Sequence, residues 1–368
     1  MRLFIFVFFS VYALMHLYLL SKINCAFKVS ILSNSILTVF LVFMVVSPYI
    51  VRILEKTNVI FLKAFAFLSY SWLGFIFLIV CLFLFYDLFS LILKFAHIEL
   101  SSRSVFTVIL TIVIIALFYG YFEAGYIKVE KIKIKSYKLR STVQIALISD
   151  LHIGILTNKK YIERICKILR ELNPQIIISS GDLIDSQIDN IQEHLEKLKD
   201  IRAKYGKYAV TGNHEYYAGI TQAKEYIRKA GFDLLQDDSI LIEDLNIKIS
   251  GINDSASKYY SKIQANEIDI LKKDFNKKYF VIFVKHRPVV NRGSEDYFDL
   301  QLSGHTHKGQ IFPFNLLVKL VYHFYSGFYK TGDRAYLYIS RGTGTWGPPM
   351  RIFARPEITL IELNGKIS

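Results

Sequence analysis

Five short clusters in the second half of the chain carry the side chains best suited to chemistry. They are Asp150 and His152 in SDLH, Asp182 in GDLID, Asn213 and His214 in GNHE, His286 in VKHRP, and His305 and His307 in GHTH. Their donors are hard oxygens and imidazole nitrogens with no thiolate, a set that suits Mn, Fe or Zn. A carboxylate has two oxygens to share, so Asp182 is the natural bridge between two cations about 3.5–4 Å apart. Such a pair is a device for cleaving phosphate esters, because it neutralises charge on the phosphoryl oxygens and acidifies a water. The leaving alkoxide still needs a proton, and a histidine that is not a ligand can give it. His214, beside Asn213, is the candidate.

Taken singly, each cluster is weak. DxH arises by chance, an Asp after a strand is often a helix cap, GNH is usually a turn, and HxH can be an ordinary exposed pair. All five in one region, in this order and after apolar runs, make coincidence a poor account. The runs ALISD, IISSGD, YAVTGNH, FVIFVKH and LQLSGH each read as a strand, a small or polar step, then a ligand. Ligands at the carboxyl ends of several strands converge on one crevice of an open α/β sheet. Gly181, Gly212 and Gly304 directly precede ligands and allow the sharp turn this needs.

The elements that would position these residues are legible around them. Residues 127–142 read as a strand and a turn. Buried strands are expected at 144–149, 175–180 and 207–211, and helices at 158–172, 190–205 and 219–229. A strand-rich half follows, with strands at 240–243, 247–252, 279–284, 299–302, 335–340 and 358–363. Strand–helix alternation followed by strands predicts a layered α/β domain with mixed sheets. Within residues 312–325, Leu316, Leu317, Leu320, Val321 and Phe324 share one helical face, and Asn315, Lys319 and His323 the other. Two readings stand for this segment: a helix packed on the sheet, or an apolar lip in a membrane interface or along an acyl-chain groove.

Residues 1–123 have a different composition. They carry eight Lys/Arg and four Asp/Glu, a net +4 of the total +14, and the remainder of the chain carries +10. Four uncharged stretches, about residues 3–21, 29–51, 64–86 and 104–122, each match the roughly 20 residues that cross a bilayer as a helix. Arg2, Arg52, Lys56, Lys63, Lys128, Lys131, Lys133 and Lys135 fall on one side of four such spans. Lys22, Lys28, Lys94 and Arg103 fall on the other. The positive-inside rule then puts both termini and the second domain in the cytoplasm, on a multi-pass protein of the cell inner membrane. No charge falls inside the four stretches, and His16 is the only imidazole there, so the bundle reads as an anchor and not as a transport path. Cys25, Cys81 and Cys166 form no disulfide framework or CxxC site. No long Lys/Arg run with interleaved aromatics points to nucleic acid.

The motifs of residues 128–368 resemble the calcineurin-like metallophosphoesterase superfamily, whose pattern is DxH, GDxxD, GNH[DE], an isolated His, then GHxH. GHTHKGQ, YISRGTGTWGPPMR and the closing PEITLIEL are similar to its membrane-attached bacterial branch. The resemblance implies a four-layer αββα sandwich over 124–368, preceded by the α-helical transmembrane bundle of 1–123. It implies two divalent metal ions, the first held by Asp150, His152, Asp182 and His307, the second by Asp182, Asn213, His286 and His305. His214 would be the acid or transition-state stabiliser. Asp185, which closes GDLID, would support the ligands without touching metal, and Lys285 and Arg287, which flank His286, would either orient phosphate or keep solvated or structural roles. Four spans depart from the single anchor, or none, that is usual in the family. The expected activity is hydrolysis of a phosphodiester or pyrophosphate bond, with the lipid bilayer as partner and a lipid-linked phosphate as substrate. A soluble nucleotide or phosphoprotein substrate stays open, as does a catalytically silent, metal-stabilised regulatory module.

Overall fold

The computed structural model describes residues 2–55, 61–185, 191–260, 265–273 and 275–365. Lys56, used above for orientation, and Asn190, at the start of an expected helix, lie outside the described residues. The chain divides into two compact units. One is Met1–Phe122 with Gly347–Met350, and the other is Glu123–Trp346 with Arg351–Ser368.

Among the described residues, four helices are long and apolar enough to cross a membrane, and they make up most of the first unit: α1 (Arg2–Phe27), α2 (Ile31–Leu54), α3 (Leu62–Phe95) and α4 (Ser102–Ala124). Two of them run well past the expected bounds. Lys22 lies inside α1 and Asp87 inside α3, and the two form an ion pair at 2.5 Å, with the Tyr18 hydroxyl donating to the same carboxylate at 2.5 Å. Pairing removes the net charge that would otherwise end a span at these residues, so charge-free sequence underestimates the helices. His16 is packed, as a lone imidazole there suggests. Its Nδ1 donates to the Tyr12 carbonyl at 2.7 Å and its Nε2 accepts from Trp72 at 2.9 Å.

The second unit is built on two six-stranded mixed sheets. Its elements in chain order begin with β1 (Lys128–Lys135), β2 (Val143–Ile148), α5 (Lys159–Leu172), β3 (Ile176–Ser179), α6 (Gln192–Lys199), β4 (Lys207–Ala209), α7 (Asn213–Ala218), α8 (Ile220–Lys229) and β5 (Asp233–Leu234). There follow β6 (Asp238–Ile242), β7 (Ile247–Gly251), α9 (Glu267–Lys272), β8 (Phe280–Val284), β9 (Leu300–Ser303), α10 (Phe314–Val321), β10 (Gly327–Lys330), β11 (Tyr336–Ile339) and β12 (Glu357–Asn364). The first sheet has the order β1-β12-β2-β3-β4-β5 and the second β10-β11-β9-β8-β7-β6. Ligand-bearing β2, β3 and β4 are parallel neighbours, as are β8 and β9, so their carboxyl ends share one edge.

Burial gives four layers. Ile145, Leu147, Ile176 and Ile178 of the first sheet meet Ile249, Ile282, Val284 and Leu302 of the second in one core. Ile162, Ile165 and Leu169 of α5, Leu195 and Leu198 of α6 and Ile227 of α8 cover the outer face of the first sheet. Leu271 of α9 covers Phe283 on the outer face of the second. Strands buried on both faces must be apolar throughout, which is why β3 reads Ile-Ile-Ile. Local sequence ends the helices. The Asn158 side chain accepts the Lys160 amide at 2.9 Å to start α5, and Asn173, left-handed at φ 44°, stops it before Pro174. The expected helix over 190–205 is shorter, because the buried Lys207 ammonium donates to the carbonyls of Leu198 at 2.8 Å and Lys199 at 3.3 Å at the end of α6. It donates also to Ala230, just past α8, at 3.0 Å. Helix α9 and strand β10 were not legible in the sequence.

Candidate metal centre

Each cluster leaves the carboxyl end of a strand: Asp150 and His152 after β2, Asp182 after β3, Asn213 and His214 after β4, His286 after β8, His305 and His307 after β9. One ligand atom each from Asp150, His152 and His307 lie within 4.8 Å of one another, and the same holds for Asp182, His286 and His305. Asp182 stands between the two groups, with Oδ2 3.1 Å from His286 Nε2 and 3.9 Å from His152 Nε2. His307 Nε2 is 3.4 Å from Asp150 Oδ1 and 3.1 Å from His152 Nε2. His305 Nδ1 is 3.2 Å from His286 Nε2.

These residues fit a pair of cations. Imidazole nitrogens aim at common points beside carboxylate oxygens, and Asn213 Oδ1 is buried with no hydrogen-bond partner. A buried acceptor left unpaired costs about 1–3 kcal/mol, and a cation would satisfy it. The orientation is prepared from behind. His286 Nδ1 donates to the Ser180 carbonyl at 2.9 Å, which leaves Nε2 free as a ligand. Asp150 accepts the His305 amide at 2.9 Å, and Asp182 Oδ1 accepts the His214 amide at 2.8 Å.

Electrostatics match the geometry. Burial would raise Asp182, yet the imidazoles of His286, His214 and His152 hold it well below the usual carboxylate range. Burial opposes the cationic form of His286, and the Asp182 charge outweighs it, pushing that ring up to about 10. His307 goes the other way, down to about 4, because burial outweighs the nearby Asp150 charge. A cation bound there would compete with that proton for the ring.

Five of these residues share an uncommon backbone state. Asp150, His152, Asp182 and His307 have φ of 49°, 49°, 50° and 49°, and His305 has 71°. Left-handed backbone at a residue with a side chain costs on the order of 1–3 kcal/mol and persists only where its surroundings impose it. The glycines beside the ligands serve close approach. A Cβ on Gly304 would lie 1.9 Å from Ser149 Oγ, and one on Gly212 2.1 Å from Asp182 Oδ1.

His214 is held in orientation by a carboxylate and an indole. Its Nδ1 donates to Asp185 Oδ1 at 3.0 Å, which turns Nε2 away, and its ring meets the edge of Trp346 with centroids 5.6 Å apart. Burial works against the cationic ring, but Asp182 and Asp185 together raise its pKa above the usual value.

Two groups, Glu215 and Arg351, escaped sequence reasoning. Glu215 is fully buried and accepts the backbone amides of Asp182 at 3.1 Å, Ile184 at 2.9 Å and Gly212 at 2.7 Å, so it clips the GDLID loop to the GNHE loop. The E of GNHE was its only signal. Arg351, in the GPPMR stretch, is also fully buried and sets Nη2 3.2 Å from His307 Nδ1. Arg287 Nε donates to Asp254 at 2.8 Å and its Nη1 lies 3.3 Å from His305 Nε2. Lys285 instead pairs with Glu267 at 2.5 Å.

Comparison with known proteins agrees with this architecture. The calcineurin-like phosphoesterase profile matches residues 143–309. An uncharacterised metallophosphoesterase of Aquifex aeolicus is 33% identical over 252 residues, which cover 67% of this chain and 96% of that protein. Another, from Campylobacter jejuni, is 34% identical over 242 residues, 65% of this chain and 64% of the relative, just under two thirds of its length. A transmembrane protein with metallophosphoesterase domain from Danio rerio is 31% identical over 251 residues, 64% of this chain and 57% of the relative.

Proposed function

The chain belongs to the calcineurin-like metallophosphoesterase family, and on that footing we propose a membrane-anchored phosphoesterase that cleaves a phosphodiester or pyrophosphate bond in a lipid-linked substrate. Asp150, His152, Asp182 and His307 would hold one divalent cation, and Asp182, Asn213, His286 and His305 the second. The observation that carries this reading is the convergence of the five clusters around Asp182, with the Asn213 oxygen otherwise unpaired. Two cations bound there supply Lewis-acid polarisation of the phosphoryl oxygens and an acidified water.

The chain's own residues do the rest. Asp182 is fixed by the His214 amide, so its second oxygen stays turned toward His286 and His152. His214 gives a proton from Nε2 to the leaving oxygen, while Asp185 holds Nδ1 and favours the charged ring. Trp346 and Tyr217 flank that imidazole edge-on and fix the plane of its ring. Arg287 orients a non-bridging phosphate oxygen from beside His305. The catalytic unit lies on the cytoplasmic side, in line with the Lys/Arg bias of its loops. A lipid-linked substrate is supported by the four apolar helices that keep this unit at a bilayer.

The test is a substrate panel. Detergent-purified, Mn²⁺-loaded protein is offered aryl phosphodiesters, nucleotides and lipid pyrophosphates. Preferred cleavage of the lipid compounds is expected. Cleavage confined to nucleotides removes the lipid assignment, and cleavage of nothing removes the hydrolase. His214→Asn keeps its metal and loses roughly 10²–10⁴-fold in turnover; loss of metal would make His214 a ligand instead.

A further inference from the structure

Helix α10 sits on the loop that carries His305 and His307, and it turns its apolar side outward. Its inner side is tied down. A Cβ on Gly309 would lie 2.4 Å from Asn315 Cα, so the two backbones are in close approach. The Thr306 hydroxyl donates to the Tyr325 carbonyl at 2.5 Å just beyond the helix, and the Tyr322 ring meets His305 with centroids 5.6 Å apart. None of the helix's residues is buried, and Leu320 and Val321 are 83% and 75% exposed. Of the two readings open from the sequence, the helix packed on the sheet is therefore excluded.

The apolar surface does not stop at the helix. Phe312 packs edge-on against exposed Phe353, with ring centroids 5.9 Å apart. The Phe353 amide donates to Glu123 at 2.8 Å, and Arg355 lies 4.9 Å over the ring of exposed Tyr126. Glu123 is in the last turn of the fourth apolar helix, which ends at Ala124, and β1 begins at Lys128. The connecting three residues reach about 14 Å at most from Ala124 to Lys128. The patch thus runs from the root of the bilayer-crossing segment to the rim of the candidate metal centre, all on the second unit. Exposed Lys319, in the helix itself, and exposed Arg355, over Tyr126, border it, the charge that anionic headgroups attract. An apolar face bordered by cations is how a segment lies in a membrane interface.

We infer that the catalytic unit docks on the bilayer through α10 and the Phe312–Phe353–Tyr126 patch, with Leu316, Leu317, Leu320 and Val321 in the headgroup–acyl boundary and anionic lipid against the basic border. Docking of this kind holds the mouth of the site at the membrane surface whatever phosphoester is cleaved.

The test uses the full chain, with its three cysteines replaced, reconstituted in phosphatidylcholine–phosphatidylglycerol vesicles. An environment-sensitive fluorophore is attached through Leu317→Cys, or through Leu320→Cys as a second position. Lys273→Cys, near the far edge strand β6, serves as the control. Metal content equal to the unlabelled parent shows that each variant is folded. The α10 labels should be quenched by brominated acyl chains and should be several-fold less quenched by aqueous iodide than the control. Iodide quenching equal to the control overturns docking, since the helix then faces water. Shielding from both quenchers overturns it too, since protein, such as a second copy of the chain, then covers the face.

Discussion

Substituting Glu215 by glutamine tests the claim that one buried carboxylate holds two ligand loops in register. In the native residue Oε2 accepts two backbone amides, those of Asp182 and Gly212, and Oε1 accepts that of Ile184. A glutamine has one acceptor oxygen, so in either orientation at least one buried N–H meets another donor. Leaving one such group unpaired costs about 1–3 kcal/mol. At about 2–4 °C per kcal/mol for a domain of this size, the melting midpoint should fall by roughly 2–12 °C. Glu215→Ala should fall further, since all three donors are stranded. The assay is thermal unfolding followed by Trp346 emission in a Trp72→Phe background, which leaves a single indole, set against His214. A pH arm separates the electrostatics. Burial first, and the Asp182 charge second, push Glu215 up to about 7. A carboxyl with a raised folded pKa contributes its full stability below the unfolded value of about 4.3 and loses that contribution as pH rises through about 7. The native protein without metal should therefore lose stability as pH rises between about pH 4 and 7, and added divalent cation, by neutralising Asp182, should flatten that slope. A glutamine variant that melts with the native protein and binds metal equally well would refute the clip.

Asp182→Asn should disturb both cation sites, because the shared carboxylate loses its charge; metal analysis of the purified variant at wild-type stoichiometry would sink the bridging role. A reporter fused after Ser368 should be active only in the cytoplasm, as the Lys/Arg bias of the loops requires, and activity only outside would reverse the topology.

The architecture was legible where composition and chemistry coincide. Uninterrupted Phe, Leu, Ile and Val announced the four long apolar helices, and the apolar runs before SDLH, GDLID, GNHE, VKHRP and GHTH announced strands that end at candidate ligands. Three-dimensional pairing hid the rest. Lys22 and Asp87 look like span limits until they are seen to neutralise each other inside two helices. The role of Glu215 depends on backbone amides from two loops, and an amide carries no sequence identity. Lys207, an ordinary strand lysine in the sequence, caps the ends of two helices through three carbonyls. Helical spacing gave the faces of α10 but could not say whether the apolar one would be covered.

The left-handed backbone at the clusters sets two demands against each other. At five positions a residue with a Cβ occupies backbone that glycine adopts freely. Glycine at any one of them would relax the local chain and, by the same exchange, remove the side chain that faces the cluster. Ease of the backbone and completeness of the site therefore cannot be improved together at these positions.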